Sequence, residues 1–176
     1  MWNFEQAGIV PDVVTVAKGI ANGMPLAAIV SRRELHERWG TGAHGSTFGG
    51  NPVSCAAGIA VLETIRDEDL IANAAARGAE LKAGLEAIAA KDPRIGDVRG
   101  PGMMIATEFV KDKVTREPDP IGDALIEKLA DAGLLLLTCG SHHNIIRWIP
   151  PLNVTSAEIA EALGIFERVL AEFPAA

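Results

Sequence analysis

The pattern of apolar and polar positions divides the chain into two textures. Residues 12–17 form a β-branched, nearly continuous apolar run that predicts a strand buried on both faces. A second apolar run from Pro25 to Val30 predicts a neighbouring strand, and the glycines and Asn22 between them are turn chemistry. Ser31 with Glu34 has capping-box spacing and predicts a short helix to about Trp39, ended by Gly40. Gly40 to Gly50 is too glycine-rich for a regular element. Asn51 then predicts an N-cap, with Pro52 at the first helical position. Cys55, Ile59, Leu62 and Ile65 recur at helical spacing, and Leu70, Ala74, Leu81, Leu85 and Ile88 mark a second amphipathic helix.

Beyond Asp92-Pro93 the runs shorten. Ile95 to Arg99 and Met103 to Val110 predict two strands split by Gly100-Pro101-Gly102, and the polar stretch from Lys111 to Pro118 reads as a surface loop. Asp119-Pro120 predicts the start of a third helix with Ile121, Leu125 and Leu129 inward, stopped by Gly133. Leu134 to Thr138 and Ile145 to Ile149 predict two further strands. Thr155 with Glu158 predicts a capped final helix whose inward stripe is Ile159, Leu163, Phe166, Leu170 and Phe173. The expected architecture is α/β followed by a smaller α+β unit, with the change between or within the two central helices.

Composition narrows the function. The 176 residues are 48% hydrophobic with mean hydropathy +0.20, enough for a substantial core. A net charge of −7 and the lack of a Lys/Arg cluster argue against nucleic acid. No apolar run reaches membrane length, and no signal-peptide pattern opens the chain, so the expected location is cytoplasmic, with no membrane partner. Cys55 and Cys139 stand far apart and read as small core hydrophobes. Met1-Trp2 and Phe4 place large aromatics where a terminus is usually polar, as if to meet something upstream.

Four places have residues suited to chemistry. Lys18 ends the first strand just before the turn at Gly19, a place that holds its backbone while leaving the amine free to reach outward. Ser46 and Thr47 offer hydroxyls within the glycine-rich stretch. Arg147 is a cation between Ile146 and Trp148 in a short strand, and such a cation needs a partner. Arg99 beside Gly100 reads as a pin between two strands. His142-His143 is a poor metal site, because adjacent strand residues face apart and no further ligand is near; no metal is expected.

In this order the motifs resemble a known family. Residues 11–26, Pro-Asp-Val-Val-Thr-Val-Ala-Lys-Gly-Ile-Ala-Asn-Gly-Met-Pro-Leu, resemble the lysine segment of the class III, or ω-amino acid, aminotransferases, which use pyridoxal 5′-phosphate. Residues 45–52, Gly-Ser-Thr-Phe-Gly-Gly-Asn-Pro, are similar to that family's phosphate-contacting segment. Residues 99–103 and 146–152 resemble its C-terminal signatures.

The resemblance implies a Schiff base between Lys18 and the cofactor aldehyde, after which the lysine shuttles a proton as general base and acid. It implies that Thr47 donates to the cofactor phosphate, from the partner subunit of a homodimer, and that Arg147 grips the substrate carboxylate. The implied fold is the C-terminal part of a fold-type I transferase large domain, residues 1–66, followed by a small α+β domain, residues 67–176. The implied reaction carries an amino group from an ω-amino acid such as 4-aminobutyrate to 2-oxoglutarate. Ornithine, acetylornithine and diaminobutyrate are alternative donors.

The family's aspartate for the pyridinium nitrogen and its ring-stacking aromatic have no counterpart here. The chain is therefore expected to be a fragment of an enzyme and inactive alone. The competing expectation is a non-catalytic interaction module.

Overall fold

The structure is a computed structural model that describes residues 1–173. It divides into two compact units, Met1–Ile71 and a second beginning at Ala72. No described helix is long and apolar enough to cross a membrane.

In the first unit a short helix α1 (Asn3–Gln6) precedes strands β1 (Val13–Val16) and β2 (Ala28–Ser31), which pair antiparallel with Val14 opposite Val30. A tight 3₁₀ turn, Lys18–Ala21, lies between them. The expectation that β1 is buried on both faces is not met, since Val13 is 47% exposed. The strand has one partner in a two-stranded sheet, and exposed and half-buried residues alternate along it.

Helix α2 (Arg33–His36) is a single turn ending before Trp39. Its N-cap is Arg32 rather than Ser31, without a side-chain cap, because the Ser31 hydroxyl turns to the Arg32 carbonyl at 3.4 Å. Helix α3 (Pro52–Asp67) starts as expected. The Asn51 side-chain oxygen accepts from the Ser54 N–H at 2.9 Å, and Pro52 occupies the first turn.

The buried face of α3 is not the expected stripe. Ser54 and Gly58 are buried, whereas Ile59 is 58% and Leu62 41% exposed. Gly58 favours this face: a methyl group there would sit 2.6 Å from Leu26 Cδ2 and would have to push the end of that side chain aside. The smallest residues set the contact and the larger ones turn outward.

Helix α4 (Leu70–Lys91) leads into the second unit, where β3 (Ile95–Arg99), β4 (Ile105–Phe109), β5 (Leu137–Cys139) and β6 (Ile145–Trp148) form one antiparallel sheet in the order β3-β4-β6-β5. Helices α5 (Gly122–Asp131) and α6 (Ser156–Glu172) complete it. Ile105, Phe109, Ile146 and Trp148 form a single core with Leu81 and Leu85 of α4, Leu125 and Leu129 of α5, and Phe166 and Leu170 of α6. Trp148 stands edge-on to Phe166 and donates its indole N–H to the Thr107 hydroxyl at 2.9 Å, so its buried polar atom is satisfied.

Thr155 caps α6 reciprocally with Glu158, as the spacing predicts. Asp119 does not cap α5. It is buried, and the helix begins after Ile121 with no side-chain cap.

One polar group closes the bottom of this core. Arg94 takes the Asp92 carboxylate on Nε and Nη2 and donates to the carbonyls of Leu170 and Phe173, tying the loop before β3 to the end of α6. Burial alone lifts the Asp92 carboxyl, but the side-chain and backbone hydrogen bonds from Arg94 outweigh it and hold the group below its ordinary value. Its folded pKa is depressed, so its contribution is present above the ordinary aspartate value and is lost as pH falls through the folded one. An Arg94→Met variant is expected to lose about 1–3 kcal/mol at neutral pH. Urea melts across pH test this: the variant should lose less stability on acidification than the parent, and equal slopes would contradict it.

Candidate active site

Lys18 sits where β1 stops. Ala17 is still extended at φ −156°, and Lys18 then turns into the left-handed region at φ +54°. For a residue with a side chain that conformation costs about 1–2 kcal/mol, so the surrounding chain has to impose it. The imposing elements are visible. Ala21 is buried at the base of the turn, and the Asn22 N–H, itself left-handed at φ +45°, closes on the Gly19 carbonyl at 3.2 Å. Gly23 at φ +104° reverses the chain toward β2. The turn presents Lys18 on an open pocket of about 410 Å³ lined by Gly19, Asn22, Gly23, Met24, Pro25 and Leu26. The amine has no hydrogen-bond or ion-pair partner among the described residues and is exposed. It is an amine held at its backbone and free at its tip.

Thr47 lies in the irregular stretch that the glycine content predicted. Successive turns run through it, from Gly40 to Ala43, Gly42 to Gly45, Ser46 to Gly49 and Phe48 to Asn51, with Gly42 and Gly50 at positive φ. The Thr47 hydroxyl is exposed and has no partner among the described residues, just ahead of the capped N-terminus of α3. Thr47 does not line the Lys18 pocket, although both residues belong to the first unit.

Arg147 belongs to the second unit. Because Ile146 and Trp148 point into the core, period-two geometry turns Arg147 to the opposite sheet face, directly across from Ala106 on one side and Leu137 on the other. It borders a cleft of about 270 Å³, with Leu135, Leu137, Ile149 and the two prolines that end β6 among the walls. Glu158 of α6 is the other charged residue in its otherwise apolar lining. The guanidinium is exposed and carries no ion pair or hydrogen bond among the described residues.

Arg99 is in the opposite condition. It donates to Asp97 at 2.7 Å and to Glu108, which also accepts from Arg116 at 3.4 Å. Asp97 and Glu108 face each other across β3 and β4, so Arg99 pins the two strands as its motif suggested. The His142-His143 pair is divided: His143 lies 3.1 Å from Asp123, which also accepts from the Thr138 hydroxyl at 2.7 Å. Hydrogen bonding from Thr138 first, and from His143, holds the Asp123 carboxyl below its ordinary value. Cys55 and Cys139 are free thiols and only half buried. The residues that sequence reasoning passed over are Glu108 and Arg116, which become visible only once the strand register is known.

Comparison with known proteins gives the same answer at several levels. The family profile described as aminotransferase class-III matches residues 1–170. The chain is 46% identical over 98% of its length to a 4-aminobutyrate aminotransferase of Mycobacterium leprae, covering 39% of that protein. It is 40% identical over 98% of its length to the 4-aminobutyrate aminotransferase GabT of Escherichia coli, covering 41%. A Bacillus anthracis aminotransferase superposes with a TM-score of 0.89 at 34% identity, over 97% of this chain and 41% of that one. An Arthrobacter phospholyase in complex with phosphoethanolamine superposes with a TM-score of 0.90 at 35% identity, over 99% of this chain and 42% of that one. The chain thus spans about two fifths of the length of the relatives it matches.

The two arginines make a direct stability test. An Arg147→Met variant is expected to leave the unfolding free energy within about 0.5 kcal/mol of the parent, because no contact is lost. Arg99→Met is expected to cost about 1 kcal/mol, because two carboxylates lose their shared cation. Paired urea melts check the contrast, and equal costs would contradict it.

Proposed function

The chain belongs to the class-III aminotransferases, and from that premise we propose that the whole protein moves an amino group from an ω-amino acid, 4-aminobutyrate first among them, to 2-oxoglutarate. Pyridoxal 5′-phosphate is the family's cofactor. When bound it supplies the electron sink that stabilises negative charge on the substrate carbon.

The residues present fit two ends of that group. The exposed, unpartnered amine of Lys18 suits its aldehyde, and the hydroxyl of Thr47 with the glycine-rich backbone around it suits its phosphate. The pocket lining contains neither a carboxylate nor an aromatic ring, so the middle of the cofactor would be held from outside this chain. On this reading residues 1–66 belong to the large cofactor-binding domain and residues 67–176 to the small one. The working location is the cytoplasm.

The observation that carries the proposal is the left-handed turn that holds Lys18 at the end of β1 with its amine free. Lys18 would hold the cofactor through its amine, and the same amine, once freed by the incoming substrate, would act as the general base and acid at the substrate carbon. Arg147 orients the substrate by accepting its carboxylate on the guanidinium fork. Thr47 serves the second copy of a homodimer, a reading supported by the family match and by the exposed, unpartnered hydroxyl.

The donor has alternatives with their own support, since related proteins include 5-aminovalerate and diaminobutyrate aminotransferases. A non-catalytic interaction module remains the second reading, and the exposed apolar stripe of α3 favours it.

Two outcomes separate these readings. In the full-length protein, borohydride reduction followed by peptide mass spectrometry is expected to place the cofactor on Lys18, and Lys18→Ala is expected to abolish both label and turnover while leaving the fold intact. Label on another residue, or retained turnover, would refute the assignment. Arg147→Gln is expected to raise KM for 4-aminobutyrate roughly a hundredfold, the equivalent of about 2–3 kcal/mol of charge-assisted bonding. An unchanged KM would remove Arg147 from the site.

A further inference from the structure

Asn22 is the only asparagine in the sequence that precedes a glycine; the others precede Phe4, Pro52, Ala74, Ile145 and Val154. An Asn-Gly pair carries its own chemistry. The Gly23 amide nitrogen has no side chain beside it to hinder attack on Cγ of Asn22. In that step a C–N bond forms, the Cγ–Nδ2 bond breaks, and the nitrogen's proton leaves with the side-chain amine as ammonia. Water then opens the cyclic imide at either carbonyl. One opening gives aspartate; the other gives isoaspartate, with the main chain rerouted through Cβ and Cγ and the α-carboxylate set free.

The turn that carries Lys18 holds the reacting atoms apart. Asn22 is left-handed, with φ +45° and ψ +52°, a conformation that asparagine tolerates better than most residues. About the Cα–C bond of an L-residue, Cβ stands about a third of a turn from the backbone nitrogen. The sense of that offset puts the Gly23 nitrogen, at ψ +52°, nearly opposite Cβ. No side-chain rotation closes the ring from there.

Cyclisation needs the Asn22 ψ to swing by about half a turn. That swing flips the Asn22–Gly23 peptide, displaces Gly23 from φ +104°, and pulls the Met24 N–H from the Ala21 carbonyl, which it meets at 3.1 Å. Ala21, 1% exposed, roots the same turn. The reactive geometry therefore belongs to the opened turn alone.

We propose that Asn22 is a site of spontaneous deamidation gated by the Lys18 turn. While the turn is closed the pair is inert, and the rate of cyclisation is set by the population of the open form. Once the imide has formed and hydrolysed, the change is permanent. Isoaspartate lengthens the main chain where the Asn22 N–H has to meet the Gly19 carbonyl, and either product adds a carboxylate to the lining of the Lys18 pocket. A paired, protonated amine is no nucleophile, so a consequence, which rests on the reading of Lys18 as the cofactor lysine, is loss of its covalent link.

The test ages the full-length protein with its cofactor in mildly alkaline buffer and follows the peptide that contains Asn22 by mass spectrometry, with isoaspartate and aspartate separated. Deamidation of Asn22 is expected to be at least about tenfold slower in the folded protein than in urea. Ala21→Gly, which loosens the root of the turn, is expected to speed it about fivefold without urea. Arg94→Met, which weakens the second unit, is expected to leave the rate unchanged. Equal rates in folded and unfolded protein would overturn the proposal, as would an Arg94→Met variant that accelerates deamidation as much as Ala21→Gly does. Should Ala21→Gly not fold, sub-denaturing urea makes the same comparison: the gate predicts deamidation of Asn22 before the second unit melts, and deamidation only with that melting overturns it. Borohydride labelling of the aged samples reads the consequence separately. Label on Lys18 is expected to fall in step with deamidation; label elsewhere refutes the lysine reading and leaves the gate standing on the mass spectra.

Discussion

The alternation of side chains along β4 and β6 is the constraint on which the second unit depends. Burying Ile146 and Trp148 against α4, α5 and α6 leaves Arg147 no choice of face. The same rule sends Ile105, Thr107 and Phe109 inward and Ala106 and Glu108 outward. A one-residue slip between these strands would put charged side chains in the core and Trp148 in water, so the register that places Arg147 is specified by hydrophobic burial. The position of the cation is thus a by-product of the core.

The first unit is governed differently. Its two-stranded sheet is half exposed, and its close contacts are few: Gly58 of α3 against the Leu26 side chain, Ala21 buried at the base of the turn, and the Asn22–Gly19 closure. These contacts hold Lys18 in a conformation that it would not choose alone. The outward apolar residues of α3 and the strands leave much of this unit's hydrophobic surface exposed, including Val13, Ile29, Val30 and Ile59.

Local chemistry was legible in the sequence wherever one residue satisfies one orphan group. Asn51 with Pro52, and Thr155 with Glu158, needed no knowledge of the rest of the chain, and the strand at Ile95–Arg99 was bounded by Asp92-Pro93 before it and Gly100 after it. Ser31 and Glu34 had the same spacing, but α2 is a single turn and the serine hydroxyl found a nearer carbonyl. Periodicity identified α3 without telling which side packs. Its apolar residues form the obvious stripe, yet Gly58 permits a closer approach, and proximity decided. Lys18, Thr47 and Arg147 were each found as residue types in suggestive settings. The difference between a pinned Arg99 and an open Arg147 was not legible, because it depends on which residues stand opposite across three strands.

The central claim is that a lysine held at a strand end and an arginine left open on a sheet serve one substrate through one cofactor. The most direct measurement is a crystal structure of the full-length protein with pyridoxal 5′-phosphate and glutarate. The account predicts continuous density between Lys18 Nζ and the cofactor, with a glutarate carboxylate on the Arg147 guanidinium. Density joining the cofactor to another lysine, or glutarate bound away from Arg147, would contradict it.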